Sequence, residues 1–417
     1  MQEDKDKRFE NIYKNIINYL RGRETMDEKI KVLLVGIGGY GNLYINGMLD
    51  KGQDHNAVIA GVVDPYPEGS NRYNDIIQAG IPVYASMEEF YQSNKADLAV
   101  ISSPIHFHCT QVCTALSNGS HVLCEKPISA TPEEAYKMIE MQKSTGLLAG
   151  VGYQWSFSKA IRELKKDIQS GDFGKPVQLK ALVLWPRDKK YFARGWAGKL
   201  TDGKGNIIRD SVANNATAHY LFNMFYVLGE TEETSAVPES VETELYRAND
   251  IENFDTAAIR VNTKCGTEIL YFCTHAVNQA RGPVFEYKFE IATVYYGVQD
   301  DKKDIYVQFN DGRVKEYGDP YEDSINKLWI MMEAIRGNSN IPCTLETATA
   351  HTLCIDAMQN AVPEIPDFPD NLRRYDEEKE VVWIEGLFEL MSNCYEEGIL
   401  PSDTDTEWAS KGEQITL

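Results

Sequence analysis

KVLLVGIGGYG, residues 31–41, decides the fold. An apolar run ends on Gly36, and further glycines follow at positions 38 and 41 before a helix-like segment begins. In a strand–turn–helix unit each has a task. Gly36 makes the tight turn, Gly38 lets backbone approach a pyrophosphate, and Gly41 lets helix and strand pack closely. The helix N-terminus then turns its free N–H groups toward phosphate. Spacing alone is weak support, because the chain holds 30 glycines. Context adds to it: this is the first strand, and Asp64 closes the second, in GVVDPYP, about twenty residues on. A carboxylate there accepts hydrogen bonds from ribose hydroxyls and repels a 2′-phosphate, so NAD is the expected cofactor and NADP is disfavoured. The plainer reading of Asp64 is a turn former before Pro65.

Outward from that turn, short Val/Ile/Leu-rich runs alternate with amphipathic segments. AVIAGVVD (57–64), PVYA (82–85), DLAVIS (97–102), HVLCE (121–125) and LLAGVG (147–152) suit strands buried on both faces of a parallel sheet. Thr131, Pro132 and Glu134 read as N-cap, first helical residue and capping box of an intervening helix. Residues 30–150 are therefore expected to form a doubly wound α/β domain of Rossmann type. After a helix near 156–170 the strands lengthen and show mixed faces: 177–185, 256–263, 267–277, 285–293 and 303–310. With helices at 322–337 and 345–361, residues 151–362 read as an α+β domain on an open, mostly antiparallel sheet. A proline-rich loop, a helix around 377–397 and a polar tail make residues 363–417 a C-terminal extension. Residues 1–29 read as a helical prefix, with Phe9, Ile12, Tyr13, Ile16, Ile17 and Leu20 on one face.

Bulk composition excludes several function classes. The 417 residues are 43% hydrophobic and 25% charged, with a formal net charge of −21. Such a surface repels nucleic acid and anionic membrane alike, which leaves a small-molecule substrate as the default. No apolar run approaches the ~20 residues of a membrane span, and the charged amino terminus is unlike a secretory signal. Eight cysteines without a CxxC pair read as reduced thiols, so a cytoplasmic location is expected. His106, His108, Cys109 and Cys113 invite a zinc reading, but no second ligand pair accompanies them and no metal is expected.

The chemistry is expected at HVLCEKP (121–127), where a buried strand ends by presenting Lys126 between Glu125 and Pro127. At the carboxyl edge of a parallel sheet this lysine faces the ligand crevice, and the proline restricts its backbone to extended geometry. An ammonium beside an oxidised, cationic nicotinamide should titrate below its solution value. It could then exchange a proton with an alcohol while hydride moves. A surface lysine is the plainer reading.

GIGGYG, SSPIHFHCTQVCTALSNGSHVLCEKP (102–127) and GVGYQW (150–155) together resemble the glucose–fructose oxidoreductase/inositol dehydrogenase family, Gfo/Idh/MocA. The resemblance runs from about residue 30 to 360. It implies that Lys126 contacts nicotinamide and substrate, often across a cis lysine–proline bond. It also implies cofactor contacts at Tyr40, Ser103, Pro104, His108, Glu125, Gln154 and Trp155. The family's Asp-x-x-x-His signature corresponds to NNATAHYLFNMFYVLG (214–229): His219 matches the histidine, Asn215 stands at the aspartate, and Phe222 replaces a later aspartate. Asn215, His219 and Asn223, spaced by four, form a polar stripe on an apolar helix. Asn215 cannot ionise, so His219 is expected to be mostly neutral and Lys126 to carry the acid/base role, with Asn215 beside it.

WPRDKKYFARGWAG (185–198) offers Trp185, Tyr191 and Trp196 to stack on a sugar ring, and Arg187 and Arg194 to bind hydroxyls or a carboxylate. An ordinary aromatic-anchored loop is the alternative, and His275 reads as structural. The expected function is an NAD-dependent oxidoreductase for a sugar, polyol or related secondary alcohol. Alternatives are NAD-assisted glycoside cleavage and a non-catalytic NAD-binding sensor. A homo-oligomer formed through the broad face of the antiparallel sheet is also expected.

Overall fold

The computed structural model describes residues 29–298 and 303–417. The helical prefix expected over residues 1–29 lies, except for Lys29, outside the described residues. Six parallel strands make the first sheet: β1 (Ile30–Val35), β2 (Ala57–Val63), β3 (Val83–Tyr84), β4 (Leu98–Ile101), β5 (His121–Cys124) and β6 (Ala149–Val151). Their order is β3-β2-β1-β4-β5-β6. Each coincides with an apolar run singled out above, β1 starting one residue before its run. Val32, Leu33, Leu34 and Val35 are all buried, which is why their run shows no polar alternation. The order reverses between β1 and β4, opening a crevice beyond their carboxyl ends. Thr131 caps helix Pro132–Thr145 by accepting from the Glu134 amide, while Glu134 accepts from Ala130 N at 3.1 Å, one residue beyond the N-cap amide of the usual capping box.

The second sheet contains β7 (Pro176–Leu184), β8 (Pro238–Tyr246), β9 (Thr256–Thr263), β10 (Glu268–Thr274), β11 (Arg281–Phe289), β12 (Ala292–Tyr296), β13 (Ile305–Phe309) and β14 (Val314–Gly318). A hairpin follows, β15 (Arg373–Asp376) and β16 (Val381–Ile384), and then β17 (Ile415–Thr416), which pairs with the edge strand β8. The nine-stranded order is β14-β13-β12-β11-β7-β10-β9-β8-β17, antiparallel except between β7 and β10. Leu179, Ala181, Val183, Phe285 and Tyr287 face the main core, together with helix Ala218–Val227.

Three expectations change at the C-terminus. The helix expected around 377–397 is a hairpin first, because Val381–Ile384 is β-branched and aromatic, and helix Leu387–Glu397 starts only after Gly386 in left-handed geometry. The polar tail is part of the sheet through β17. Part of the broad sheet face expected as a subunit contact, around β7 and β10, is covered by the chain itself. Leu182, Leu184, Leu270 and Phe272 on its outer side pack with Leu387, Met391, Cys394 and Tyr395 of the last helix. Burying four such strand side chains contributes on the order of 6–12 kcal/mol at about 1.5–3 kcal/mol each. A chain ended at Val362 is therefore expected to aggregate, seen as loss of the soluble peak in gel filtration; a soluble, cooperatively folding truncation would contradict this packing account.

Candidate active site

Val35, Ile101, Cys124 and Val151 end neighbouring parallel strands, so the segments that follow them meet at one sheet edge. These are the glycine turn, Ser102–Pro104, Glu125–Lys126 and Gly152–Gln154. A Cβ on Gly41 would sit 2.0 Å from Gly36 O, and Gly36 itself has φ +76°. Both positions require glycine. Above Gly39 nothing lies within 4 Å of where a Cβ would stand, so the turn opens outward and has room for a phosphate. Asp64 accepts from Ile37 N at 2.9 Å and from Tyr66 N at 2.8 Å. The acid thus forms its turn and also ties it to the glycine loop, and each oxygen keeps a second lone pair for a ribose hydroxyl. These features fit a dinucleotide: glycine turn for the pyrophosphate, Asp64 for the adenosine ribose, the Lys126 edge for the nicotinamide.

Lys126 precedes a cis peptide bond to Pro127 and is half-buried. Its Nζ donates to the main-chain oxygen of Asn215 at 2.7 Å and to Asn215 Oδ1 at 3.0 Å. The lysine of one domain and the polar segment of the other therefore meet directly. Burial lowers the Lys126 amine to about 8, Glu125 acts in the opposite direction, and Lys327 adds to the lowering. His219 is half-buried with Nδ1 unpartnered, edge-on to the Tyr153 ring at 5.9 Å. Burial holds its imidazole well below the ordinary value, assisted by the Lys126 and Lys327 charges. It is a neutral histidine, chiefly because of desolvation.

The polar stripe does not stay together. Val212–Ala216 form a π-helical turn and the α-helix starts at Ala218, so Asn215 and His219 belong to different segments. Asn223 is buried and donates to Tyr287 Oη at 2.9 Å, a structural role. Phe222 stacks on Tyr153 at 3.9 Å, filling its position with ring packing.

Two of the residues expected as cofactor contacts, Trp155 and His108, are buried among protein partners. Trp155 is 1% exposed and packs edge-on against Tyr220, Phe285, Tyr296 and Tyr321 in the second domain's core. His108 is buried with Nδ1 2.8 Å from Pro127 O and Nε2 2.9 Å from Ser103 O. With both nitrogens occupied, it braces the crevice from behind. Tyr40 is exposed and donates to Gln154 Oε1 at 2.9 Å, so those two expected contacts do sit together. Glu125 is buried and faces inward, accepting from Tyr44 and from Lys327.

In the loop after β7, the Arg187 guanidinium lies 5.0 Å from the Tyr191 ring centroid, and Arg194 lies 4.6 Å from the same centroid. Arg194 also approaches Trp196 at 5.8 Å, and Trp185 donates to Gly282 O at 3.0 Å. Both arginines stack on rings, leaving N–H groups for a ligand. The loop's base is held by the C-terminal hairpin: Lys189 N donates to Glu380 O at 3.0 Å, and its ammonium lies over Tyr375. His275 Nδ1 contacts Trp185 O at 2.8 Å from a buried position, the structural role expected of it.

Sequence reasoning missed two charged groups. Lys327, fully buried on helix Asn326–Ile335, pairs with Glu125, donates to Tyr40 Oη at 3.0 Å and reaches Gly152 O at 3.3 Å. A lysine amid NKLWIMM was the available signal. Asp210, 2% exposed, accepts from Asn215 Nδ2 at 2.8 Å. Nothing in its sequence neighbourhood distinguishes it.

The fold and this edge define a domain of Rossmann type joined to an α+β domain that meets it where Lys126 contacts Asn215. Residues 30–153 match the family described as "Oxidoreductase family, NAD-binding Rossmann fold", GFO_IDH_MocA. The match covers the first of the two domains, the one built on the six-stranded parallel sheet. It is 28% identical over 142 residues to 1,5-anhydro-D-fructose reductase of Ensifer adhaerens, covering 33% of this chain and 41% of that one. It is 26% identical over 193 residues to inositol 2-dehydrogenase of Rubrobacter xylanophilus, covering 46% and 50%. The chain thus spans half or less of the length of these curated relatives. Among solved structures, the WlbA dehydrogenase of Bordetella pertussis, in complex with NADH and UDP-GlcNAcA, superposes with a TM-score of 0.66. That match is at 20% identity over 81% of this chain and 97% of the other, a likeness of fold. Among the described residues no helix is long and apolar enough to cross a membrane.

Proposed function

We propose that the chain is an NAD-dependent oxidoreductase acting on a secondary alcohol of a sugar or polyol. Supporting this above all is the Lys126 amine, lowered to about 8 and held by Asn215 at the sheet edge where the glycine turn opens. Bound NAD supplies the hydride acceptor. Lys126 in its neutral form takes the alcohol proton, and in its charged form returns one to a carbonyl. His219, neutral with a free Nδ1, accepts or donates one hydrogen bond to a neighbouring hydroxyl and orients it. Asn215 holds the amine in place. Tyr191, Trp185 and Trp196 present ring faces suited to a sugar's apolar side, while Arg187 and Arg194 suit its oxygens. Relatives named as inositol 2-dehydrogenase and 1,5-anhydro-D-fructose reductase support a polyol or sugar substrate.

Incubation of the purified chain with NAD and a panel of polyols, aldoses and glycosides tests this, read by the absorbance of reduced nicotinamide. Reduction with at least one alcohol is expected. Tight NAD binding with no turnover of any alcohol or glycoside would favour a non-catalytic sensor.

Within this reading Asp64 selects NAD over NADP. Asp64→Ser is expected to weaken NAD by about tenfold and to narrow the gap to NADP, measured by calorimetric titration of both. Equal affinities in the wild type would remove this role. Self-association stays in the reading only through faces other than the covered half of the second sheet. Light scattering of the intact chain reports it, and a monomeric mass would end it.

A further inference from the structure

We propose that Asp210 is the counter-ion of Lys126 and positions it through the side chain of Asn215. This builds on Lys126 as the acid/base group and adds a carboxylate that the family signature does not supply at position 215.

The polarity of the contacts fixes the arrangement. An ammonium only donates, so Lys126 must face the amide oxygen of Asn215, and it does so at 3.0 Å. A carboxylate only accepts, so Asp210 must face the amide nitrogen, and Nδ2 lies 2.8 Å from Asp210 Oδ1. One amide orientation satisfies both ends, and reversing it would set like against like on each side. Asp210 is held in turn: its Oδ2 accepts from Gly198 N at 2.7 Å, and its main-chain oxygen accepts from Asn253 Nδ2 at 3.0 Å. The carboxylate is buried and in no direct ion pair among the described residues, a costly state unless a nearby cation balances it. Lys126 is that cation at one amide's remove, and Arg194 on the exposed loop is the other charge in reach. A carboxylate directly at position 215 would form a tight ion pair and keep the amine charged. Spaced by an amide, the charge supports the ammonium without locking it. The lysine can then change protonation state near neutral pH.

The charged and titratable groups around Lys126 are Glu125 on its own strand end, Lys327 behind that, Asp210 across Asn215, and the neutral imidazoles of His219 and His351 on the facing helices. Of these Glu125 and, after it, Asp210 favour the charged lysine, so removing the Asp210 charge should let Lys126 lose its proton at lower pH.

Competitive acetylation reads this without substrate or turnover. The intact protein is labelled with acetic anhydride across pH 6–10, and Lys126 modification is quantified by mass spectrometry against the exposed Lys159. In Asp210→Asn the Lys126 midpoint is expected to fall by about half a pH unit or more, and Asp210→Glu should restore most of it. In an Asn215→Ala background the same Asp210→Asn change should have less effect, because the link is gone. Should Asp210→Asn fail to fold, the reciprocal shift decides. In Lys126→Met, the carboxyl carbon of Asp210, followed by NMR after aspartate labelling, should titrate above the wild-type value of about 6. An unmoved Lys126 midpoint in folded Asp210→Asn, or an unmoved Asp210 titration in Lys126→Met, overturns the proposal. Absence of dehydrogenase activity would leave these readings intact, so the two claims fail separately.

Discussion

Lys126→Met is expected to lower turnover of the best alcohol by about 10²–10⁴-fold while NAD affinity changes little. The methionine keeps most of the side-chain length and removes the proton-exchanging amine. In the proposed reading the glycine turn and Asp64, distant in sequence from Lys126, bind the rest of the dinucleotide. Loss of activity should not come from unfolding. With a folded-state value of about 8 against the ordinary 10.5, the native state disfavours the protonated amine, a cost present in full below about pH 8 and lost as pH rises toward 10.5. Removing the amine therefore should not lower the melting temperature at pH 7. In the wild type, alcohol oxidation requires the neutral amine, so kcat/KM should rise about tenfold per pH unit below 8 and level off above it. Carbonyl reduction should show the opposite limb. Steady-state kinetics with titration calorimetry checks all of this, and near-wild-type turnover in Lys126→Met would remove the lysine from the chemistry.

Lys327→Met should produce the largest loss of stability of any single change at the site. Its ammonium is fully buried against the nearly buried Glu125, with Tyr40 and Gly152 taking its other hydrogen bonds. Although burial alone would lower the lysine's value, Glu125 and Tyr40 hold it above the ordinary one. Removing only the cation leaves a carboxylate stranded in the core, a change that costs about 3–5 kcal/mol. Urea unfolding measures it, and Glu125→Gln with Lys327→Met should recover a large part, because no charge is then left unbalanced. Because Lys327 also depresses Lys126, the kcat/KM limb of a folded Lys327→Met protein should move to higher pH. A loss under 1 kcal/mol would show that the pair is not the brace between the two domains that its geometry indicates.

The first domain was legible because its strands are buried on both faces. Runs such as KVLLV and LAVI carry that burial in composition alone, and the one glycine turn fixes where the crevice lies. The second sheet was less legible. β8, PESVETELY, alternates acids with apolar residues and carries no turn glycine, and FEYKFEIAT divides into β11 and β12 at a two-residue connection that sequence does not mark. Within the site, Lys126, Asn215 and His219 could be named from motif spacing because they lie on local signatures. Trp155 could not be separated from the crevice-facing Gln154 beside it, since only tertiary packing decides which neighbour turns inward. Lys327 and Asp210 act across long sequence separations, 202 residues to Glu125 in the case of Lys327, and no local pattern encodes such partners.

A crystal structure of the full chain with bound NAD tests the central claim most directly. The account predicts nicotinamide C4 within about 5 Å of Lys126 Nζ, close enough for one substrate hydroxyl to reach both, with the amine still on Asn215. A nicotinamide ring seated away from this edge, or a Lys126 amine turned to bulk solvent in the complex, would contradict it.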